Sequence, residues 1–359
     1  MNELKKNKTK EMILVSFILI ISFAVWLVVP YAQHLANGRD IEWNYYIGKG
    51  IIVSFVSLAV YLFAEKYGYS IFEKYSKAIL YIGTTTLLVF AIFEFPLSHI
   101  ETPVLSKAIL YIYSALPFLE LITLCAFTVS LNDILSDDFT LTKVALVATG
   151  FVMAFLLNNV LKVVLLIMLI TVLIKQLKNK DNGKKTVFII VTVLSICLLA
   201  YVVYAFCIAL KTLLIEWDNK SYMAYVSRYV WSNTKLFGTM DNLKYLGGST
   251  VFFSLLWMIE LLGIVPTVII VVALMLFAAM LLNKRKSTAQ ENPISILALI
   301  YFCVCSVIAV LANCGIFFNG FMTSMPLIMD TVAGMLCSFL LLGLYNTNLN
   351  VNEGKRKGV

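Results

Sequence analysis

Long apolar runs alternate with short polar segments along almost the whole chain. A helix needs about 20 apolar residues to cross the hydrocarbon core of a bilayer. The first run follows a lysine-rich start and is too long for a signal peptide, so we predict a retained span. Runs near that length predict eight spanning segments, at residues 12–32, 48–65, 78–97, 107–130, 186–215, 250–282, 294–318 and 324–345.

A further apolar region, residues 144–174, is interrupted by Asn158, Asn159 and Lys162 and fits either one tilted span or two short ones. Short cytoplasmic loops collect Lys and Arg, so the charge pattern distinguishes the two arrangements. Two short helices place 19 of the 28 basic residues in inner segments, whereas one span moves three basic groups outside. We therefore predict ten transmembrane helices in one domain, an outer turn at the Asn pair, and both termini in the cytoplasm.

The predicted topology leaves one large loop, residues 216–249, outside the membrane before the eighth helix. Its mixed aromatic and charged residues fit either an interfacial aromatic belt or an amphipathic element on the outer leaflet. The flanking helices, 186–215 and 250–282, are each about 45 Å long at 1.5 Å per residue. They must tilt or bend, and Pro266 predicts a kink and a cavity open to the outer face.

The composition is that of an all-α polytopic membrane protein, with 61% hydrophobic residues and a mean hydropathy of +0.90. The net charge of +8 comes from basic clusters between apolar runs, a pattern set by membrane insertion, so we exclude a nucleic-acid partner. The seven cysteines lie in or beside apolar runs, and His34 and His99 lie in opposite loops. We predict no metal site and no cofactor.

A polar, glycine-punctuated stretch, residues 232–263, leads into one of the longest apolar runs. It contains Phe237-Gly238, Tyr245-Leu246, Ser249-Thr250 before two Phe, and Glu260-Leu-Leu-Gly263. In order and spacing these residues resemble the F-G, L-P-E-x-H-T-D-F-I-F and E-E-L-G signature of the FtsW/RodA/SpoVE, or SEDS, family of peptidoglycan-polymerising membrane proteins. The catalytic Asp of that signature falls at Val251 or Phe252 here.

The resemblance continues in the same order across some 240 residues of the chain. This sequence departs from the family signature at three further places: Thr123 stands where the family has Lys, Asn159 where it has Asp, and residues 329–334 where it has S-Y-G-G-S-S. The matching pieces are 107–112 for R-R-W-I-x-I, 117–121 for P-S-E-L, 156–161 for L-Q-P-D-L-G, 232–238 for S-G-G-x-F-G, 313–316 for N-x-G-L and 324–328 for P-L-P-F-I.

Two intramembrane carboxylates are the first candidates for chemistry. Glu120 lies about half-way along its helix, where a functional role is the default, and a hydrogen bond between helices is the alternative. The resemblance implies that it lines a substrate cavity. Glu260 invites the same two interpretations, with the structural one ahead. Lys162 and Asp330 lie nearer to helix ends, where we predict snorkelling or solvation.

Sugar transfer between polyprenyl-diphosphate glycans needs a base for the attacking hydroxyl and cationic groups for the leaving diphosphate. Asp241, ten residues before Val251, is our candidate base if the loop folds back. A divalent cation is the alternative acceptor for the diphosphate. The candidate protein contacts for it are Lys107, Arg228, Lys235 and Lys244, each of which is otherwise a simple loop charge.

The resemblance implies one of two functions in the bacterial cytoplasmic membrane. The first is a divergent glycosyltransferase that polymerises lipid II or a related polyprenyl-linked glycan beside a single-span transpeptidase, a class B penicillin-binding protein. The second is a non-catalytic scaffold that binds the precursor or a partner synthase, which the missing acid favours. A flippase or transporter is a third hypothesis, but the two halves of the chain show no internal repeat.

Overall fold

The computed structural model describes most of the chain, and its regular structure is helical. The described residues are 2–37, 42–98, 103–136, 141–178, 185–215, 230–238, 254–283, 293–314, 323, 325–328 and 331–357. The predicted loop 216–249 lies outside them, apart from residues 230–238.

The helices are named in chain order from α1 to α11. Their bounds are α1 (Asn2–Asn37), α2 (Trp43–Phe63), a π-helical turn (Ala64–Gly68), α3 (Tyr69–Ser98), α4 (Pro103–Ser136), α5 (Leu141–Leu156), α6 (Asn159–Lys178), α7 (Lys185–Ile215), α8 (Ser254–Leu262), α9 (Ile264–Asn283), α10 (Pro293–Asn313) and α11 (Val332–Lys357).

Several of these helices are long and apolar enough to cross a membrane. Within the described ranges, five helical segments meet that description and four shorter apolar helices accompany them. The described part of the chain is therefore all-helical and is of the multi-pass membrane class, as predicted. The count of ten spans, the cytoplasmic termini and the outward loop stay predictions.

The predicted break inside residues 144–174 is confirmed, because α5 ends at Leu156 and α6 begins at Asn159. Asn158 caps the second helix: its side-chain Oδ1 accepts a hydrogen bond from Leu161 N at 2.9 Å. The side chain of Asn158 accepts from an N–H group of the first turn of α6 that has no partner within the helix. This capping favours the start of a new helix at this position. The predicted helix 186–215 is confirmed as α7.

The predicted cytoplasmic segment 65–77 is not a loop in the structure. Residues 43–98 keep helical backbone throughout, with one π turn at Ala64–Gly68 between α2 and α3. Charge suggested a loop, but Lys and Glu are good helix formers and no proline interrupts this stretch. The prediction of a loop between the second and third spans is therefore wrong, because the helical backbone continues through residues 65–77.

The predicted single helix 250–282 is divided, and the break is not at Pro266. Its cause is Gly263, which has φ +94° and separates α8 from α9. Glycine adopts this left-handed conformation without the steric cost that a side chain adds. Pro266 instead lies in the first turn of α9, where its missing N–H leaves no hydrogen bond unmade.

The last predicted span, 324–345, begins later than its apolar run. α11 starts at Val332, while Met325–Ile328 are buried outside any helix and Leu327 has φ +67°. Two serines satisfy the backbone of Leu327: Ser338 Oγ accepts from its N–H at 3.2 Å, and Ser22 Oγ donates to its carbonyl. Non-helical backbone is tolerated at this depth because protein groups supply its hydrogen bonds.

Helix α11 is the central helix of the described structure. It packs on α2, the π turn, α4, α9 and α10. Gly343 permits the closest approach, because a Cβ there would lie 2.5 Å from Tyr61 O and 2.7 Å from Ala64 Cβ. Small residues at such a crossing let two membrane helices touch through their backbones.

The break at Gly263 gives the first testable prediction. In Gly263→Ala, the new Cβ would lie 2.4 Å from Phe237 Cα and would meet a positive φ, so we expect a loss of about 1–3 kcal/mol in stability. Gly48→Ala is the matched control, since nothing lies within 4 Å of its Cβ, and it should be neutral or stabilising by about 0.5–1 kcal/mol. Equal thermal midpoints of the two purified variants in detergent would contradict this role for Gly263.

Candidate functional site

The α5–α6 turn binds a carboxylate from a third helix. Glu120 of α4 is only 4% exposed. Its Oε1 accepts from Asn158 N at 3.1 Å and its Oε2 from Asn158 Nδ2 at 2.5 Å. One asparagine therefore holds both carboxylate oxygens and, through its own Oδ1, also caps α6. Glu120 therefore makes a hydrogen bond between helices, which is the alternative that the sequence left open beside a functional role.

A buried lysine completes this group, and the prediction that it snorkels to the surface is wrong. Lys162 is 4% exposed, and its Nζ lies 4.1 Å from the centroid of the Tyr201 ring of α7. Its charge is close enough to act on Glu120. Tyr201 OH also lies 3.5 Å from Asn159 Oδ1. We call Glu120, Asn158, Asn159, Lys162 and Tyr201 the turn cluster.

The distance of Lys162 from the helix end predicts snorkelling, but that distance carries no information about its neighbours on other helices. The signal that could have found it is the charge pattern. An intramembrane Glu and an intramembrane Lys are each costly alone, and such residues usually pair or face a polar interior. Because Lys162 follows Asn158 by one helical turn, it lies on the same side of α6 as the cap.

Three helices place the turn cluster at one level. At 1.5 Å per residue, the turn lies about 24 Å along α5 from Leu141. Glu120 lies about 24 Å from the end of α4 at Ser136, and Tyr201 about 24 Å from the start of α7 at Lys185. The hairpin α5–α6 stops at this level, whereas its two neighbours continue.

The space above the turn is therefore flanked by two longer helices. α4 extends about 25 Å past Glu120 and α7 about 21 Å past Tyr201. Among the described residues, these two helices share no extended contact with each other.

Thr123, which stands where the family has Lys, faces a different helix. A Cβ on Gly83 of α3 would lie 2.2 Å from Thr123 Oγ1, so α3 and α4 touch closely here. Thr123 Oγ1 also donates to Leu119 O at 2.8 Å. Thr123 is fully buried and carries no charge, and the positive charge near Glu120 comes from Lys162 on α6.

The second candidate carboxylate, Glu260 on α8, belongs to another cluster. It is fully buried, and Thr234 Oγ1 lies 3.0 Å from its Oε1. The segment 230–238 passes over the α8–α9 break: Val265 N donates to Leu236 O at 3.1 Å. A Cβ on Gly238 would lie 2.2 Å from Leu261 O. The Phe237-Gly238 pair therefore packs on the Glu260–Gly263 stretch.

Asn313, at the end of α10, connects this cluster to the segment 230–238. Its Oδ1 accepts from Leu256 N at 3.2 Å, and its Nδ2 donates to Ala309 O at 2.8 Å. Its backbone O accepts from Trp231 Nε1 at 2.6 Å. The sequence assigns Asn313 to the motif at 313–316 without a role, and it marks Trp231 only as one of the loop aromatics.

The remaining predicted site residues are only partly described. Lys235 is exposed on the segment 230–238, and its carbonyl accepts from Ile264 N at 3.4 Å. Lys107 belongs to α4, but its side chain lies outside the described part of the structure. The candidate base and the other loop contacts lie outside the described residues altogether: Asp241, Arg228, Lys244, and the motif positions Val251 and Phe252.

Among the described residues, no three His, Cys, Asp or Glu side chains come together as a metal-binding group. The chain matches no known protein-family model. No curated protein matches it either.

The Glu120–Asn158 contact gives a second prediction. Asn158→Ala removes the donors of a buried carboxylate, so we expect a loss of about 1.5–3 kcal/mol, most of which should vanish when Glu120→Leu is already present. Asn159→Ala is the control, since its contact to Tyr201 is 3.5 Å long, and it should cost less than about 1 kcal/mol. Additive effects of Asn158→Ala and Glu120→Leu on the thermal midpoint would show that the two residues are not coupled.

The buried lysine gives a third prediction. Lys162→Met leaves the Glu120 carboxylate without its nearby positive charge, and we expect a loss of about 2 kcal/mol or more. The double variant Glu120→Gln/Lys162→Met should be more stable than Lys162→Met alone, because it leaves no uncompensated charge. Lys66→Met is the control: Lys66 is exposed over the Tyr67 ring at 4.8 Å, and its loss should change the midpoint little.

Proposed function

We propose that this chain is a divergent SEDS-like protein that handles lipid II or a similar polyprenyl-diphosphate glycan in the bacterial cytoplasmic membrane. The chemistry is peptidoglycan glycosyl transfer. In a degenerate relative, only binding of the lipid-linked substrate remains. The topology in this proposal has ten spans, cytoplasmic termini and an outward loop before the eighth helix. The partner is a single-span class B penicillin-binding protein.

The observation that supports the proposal is the contact between pieces of the resemblance that are far apart in sequence. Glu120, from the piece similar to P-S-E-L, is held by Asn158, from the piece similar to L-Q-P-D-L-G. Phe237-Gly238 packs likewise on the Glu260–Gly263 stretch. Motifs of one site are expected to meet in space, and two such pairs do so here.

The geometry favours different roles for the two candidate catalytic acids. Both oxygens of Glu120 accept hydrogen bonds from Asn158, so this carboxylate positions α4 against the turn and is poorly placed to take a proton. In our proposal the base is therefore Asp241, on the loop. Lys107, Arg228, Lys235 and Lys244, or a divalent cation, receive the diphosphate.

The alternative is a non-catalytic scaffold that binds the lipid-linked precursor or a partner synthase. Val251 and Phe252 favour it, because neither side chain can take a proton from a sugar hydroxyl where the family has its Asp. Under this alternative the contacts around Glu120 and Glu260 are kept for folding and binding, and turnover is absent.

The fourth prediction separates these two functions. Purified chain, alone and with a co-expressed class B penicillin-binding protein, is assayed on gels for polymerisation of labelled lipid II. The enzyme hypothesis expects glycan chains that Asp241→Ala abolishes, whereas Asn242→Ala, the neighbouring loop residue, is the matched control that should keep them.

Three outcomes are informative. Polymer that survives Asp241→Ala removes Asp241 as the base. Binding of lipid II or of the partner without polymer supports the scaffold. Neither polymer nor binding overturns the proposed function.

A further inference from the structure

A separate group of buried polar side chains lies where α2 and the π turn meet α11. Tyr61, Glu65 and Asn346 are all buried. Asn346 Nδ2 donates to the Tyr61 hydroxyl at 2.8 Å. Glu65 follows Tyr61 by about one turn, and its charge is close enough to act on that hydroxyl. We call these three residues the α2–α11 polar group.

Close packing of α11 against the π turn holds this group in place. A Cβ on Gly343 would lie 2.7 Å from Ala64 Cβ and 3.2 Å from Glu65 N. Asn346 follows Gly343 by three residues and therefore lies on the same side of α11. A π turn inside an α-helix is rare and is frequently found at a functional site. The polar group thus occurs where two backbones are fixed against each other.

One oxygen of the group lacks a hydrogen-bond partner among the described residues. It is Asn346 Oδ1, which is buried. Glu65 has further interactions of its own, so the unmet requirement belongs to the Asn346 oxygen. A second such buried oxygen in the described structure, Ser57 Oγ, lies on α2 one turn before Tyr61. Burial of an acceptor without a donor or a cation is unfavourable, so this group requires a ligand.

The chemistry of the group favours a hard cation of single charge. Carboxylate, amide carbonyl and hydroxyl oxygens are the ligands of such cations. The two charged side chains that act on Tyr61 in the described structure are Glu65 and the partly buried Glu11 of α1, and both are acidic. An anionic ligand would therefore meet like charge. Ca²⁺ takes six to eight oxygen ligands and Mg²⁺ keeps several waters, whereas this group offers one fully buried carboxylate.

We propose that Asn346 Oδ1 and the Glu65 carboxylate bind an alkali cation, and that the Tyr61 hydroxyl orients the Asn346 amide toward it. The bound ion would join α11 to the π turn. This site is separate from the turn cluster, and the inference does not rest on the proposed function.

The test measures binding of radioactive Na⁺ to the purified full chain in detergent and choline chloride, with K⁺ and Mg²⁺ as competitors. We expect saturable binding that Asn346→Leu weakens by about tenfold or more, because the ion loses an oxygen ligand. Asn346→Asp keeps an oxygen at this position and should retain binding. Tyr61→Phe keeps the ring but removes the partner of Asn346 Nδ2, so it should also lower the affinity for Na⁺.

Ser54→Ala, also on α2, is the matched control, because the Ser54 hydroxyl donates to Gly50 O at 2.8 Å and its oxygen lies outside the group. It should leave the affinity within about twofold. Thermal midpoints in choline chloride show whether each variant is folded.

Three results would overturn the inference. Wild-type protein that binds neither Na⁺ nor K⁺ would show that the unpartnered oxygen is met by water alone. Unchanged Na⁺ affinity in folded Asn346→Leu and Tyr61→Phe would place the ion elsewhere. Stronger competition by Mg²⁺ than by K⁺ would remove the assignment to a monovalent ion. The lipid II assay tests the proposed function independently of all three.

Discussion

The hydrogen bonds between Glu120 and Asn158 are the contact on which the described arrangement of α4, α5 and α6 depends. A carboxylate inside a membrane protein is stable only if donors replace the water that it has lost. Asn158 supplies two of them and caps α6 with its remaining oxygen. Because a single residue does both, the end of one helix, the start of the next and the depth of a third are fixed together.

Interrupted helices elsewhere in the chain follow the same physical rule, that buried backbone must find partners within the protein. The irregular residue Leu327 is satisfied by Ser22 and Ser338. The break at Gly263 is covered by the segment 230–238, whose carbonyls accept from the first residues of α9. Each interruption therefore joins segments that are distant in sequence, which gives a largely apolar chain specific contacts that uniform hydrophobic packing does not provide.

The sequence predicted the all-helical membrane class and the break at Asn158, because hydropathy and helix capping are local properties. It did not predict the break at Gly263, because the apolar run continues on both sides of that residue and Pro266 is the stronger local signal for a kink. The loop expected at 65–77 is helical, since charge reports a preference for the membrane surface and not the backbone conformation. The position of Lys162 depends on Tyr201 and Glu120, two residues from other helices, so no local pattern contains it.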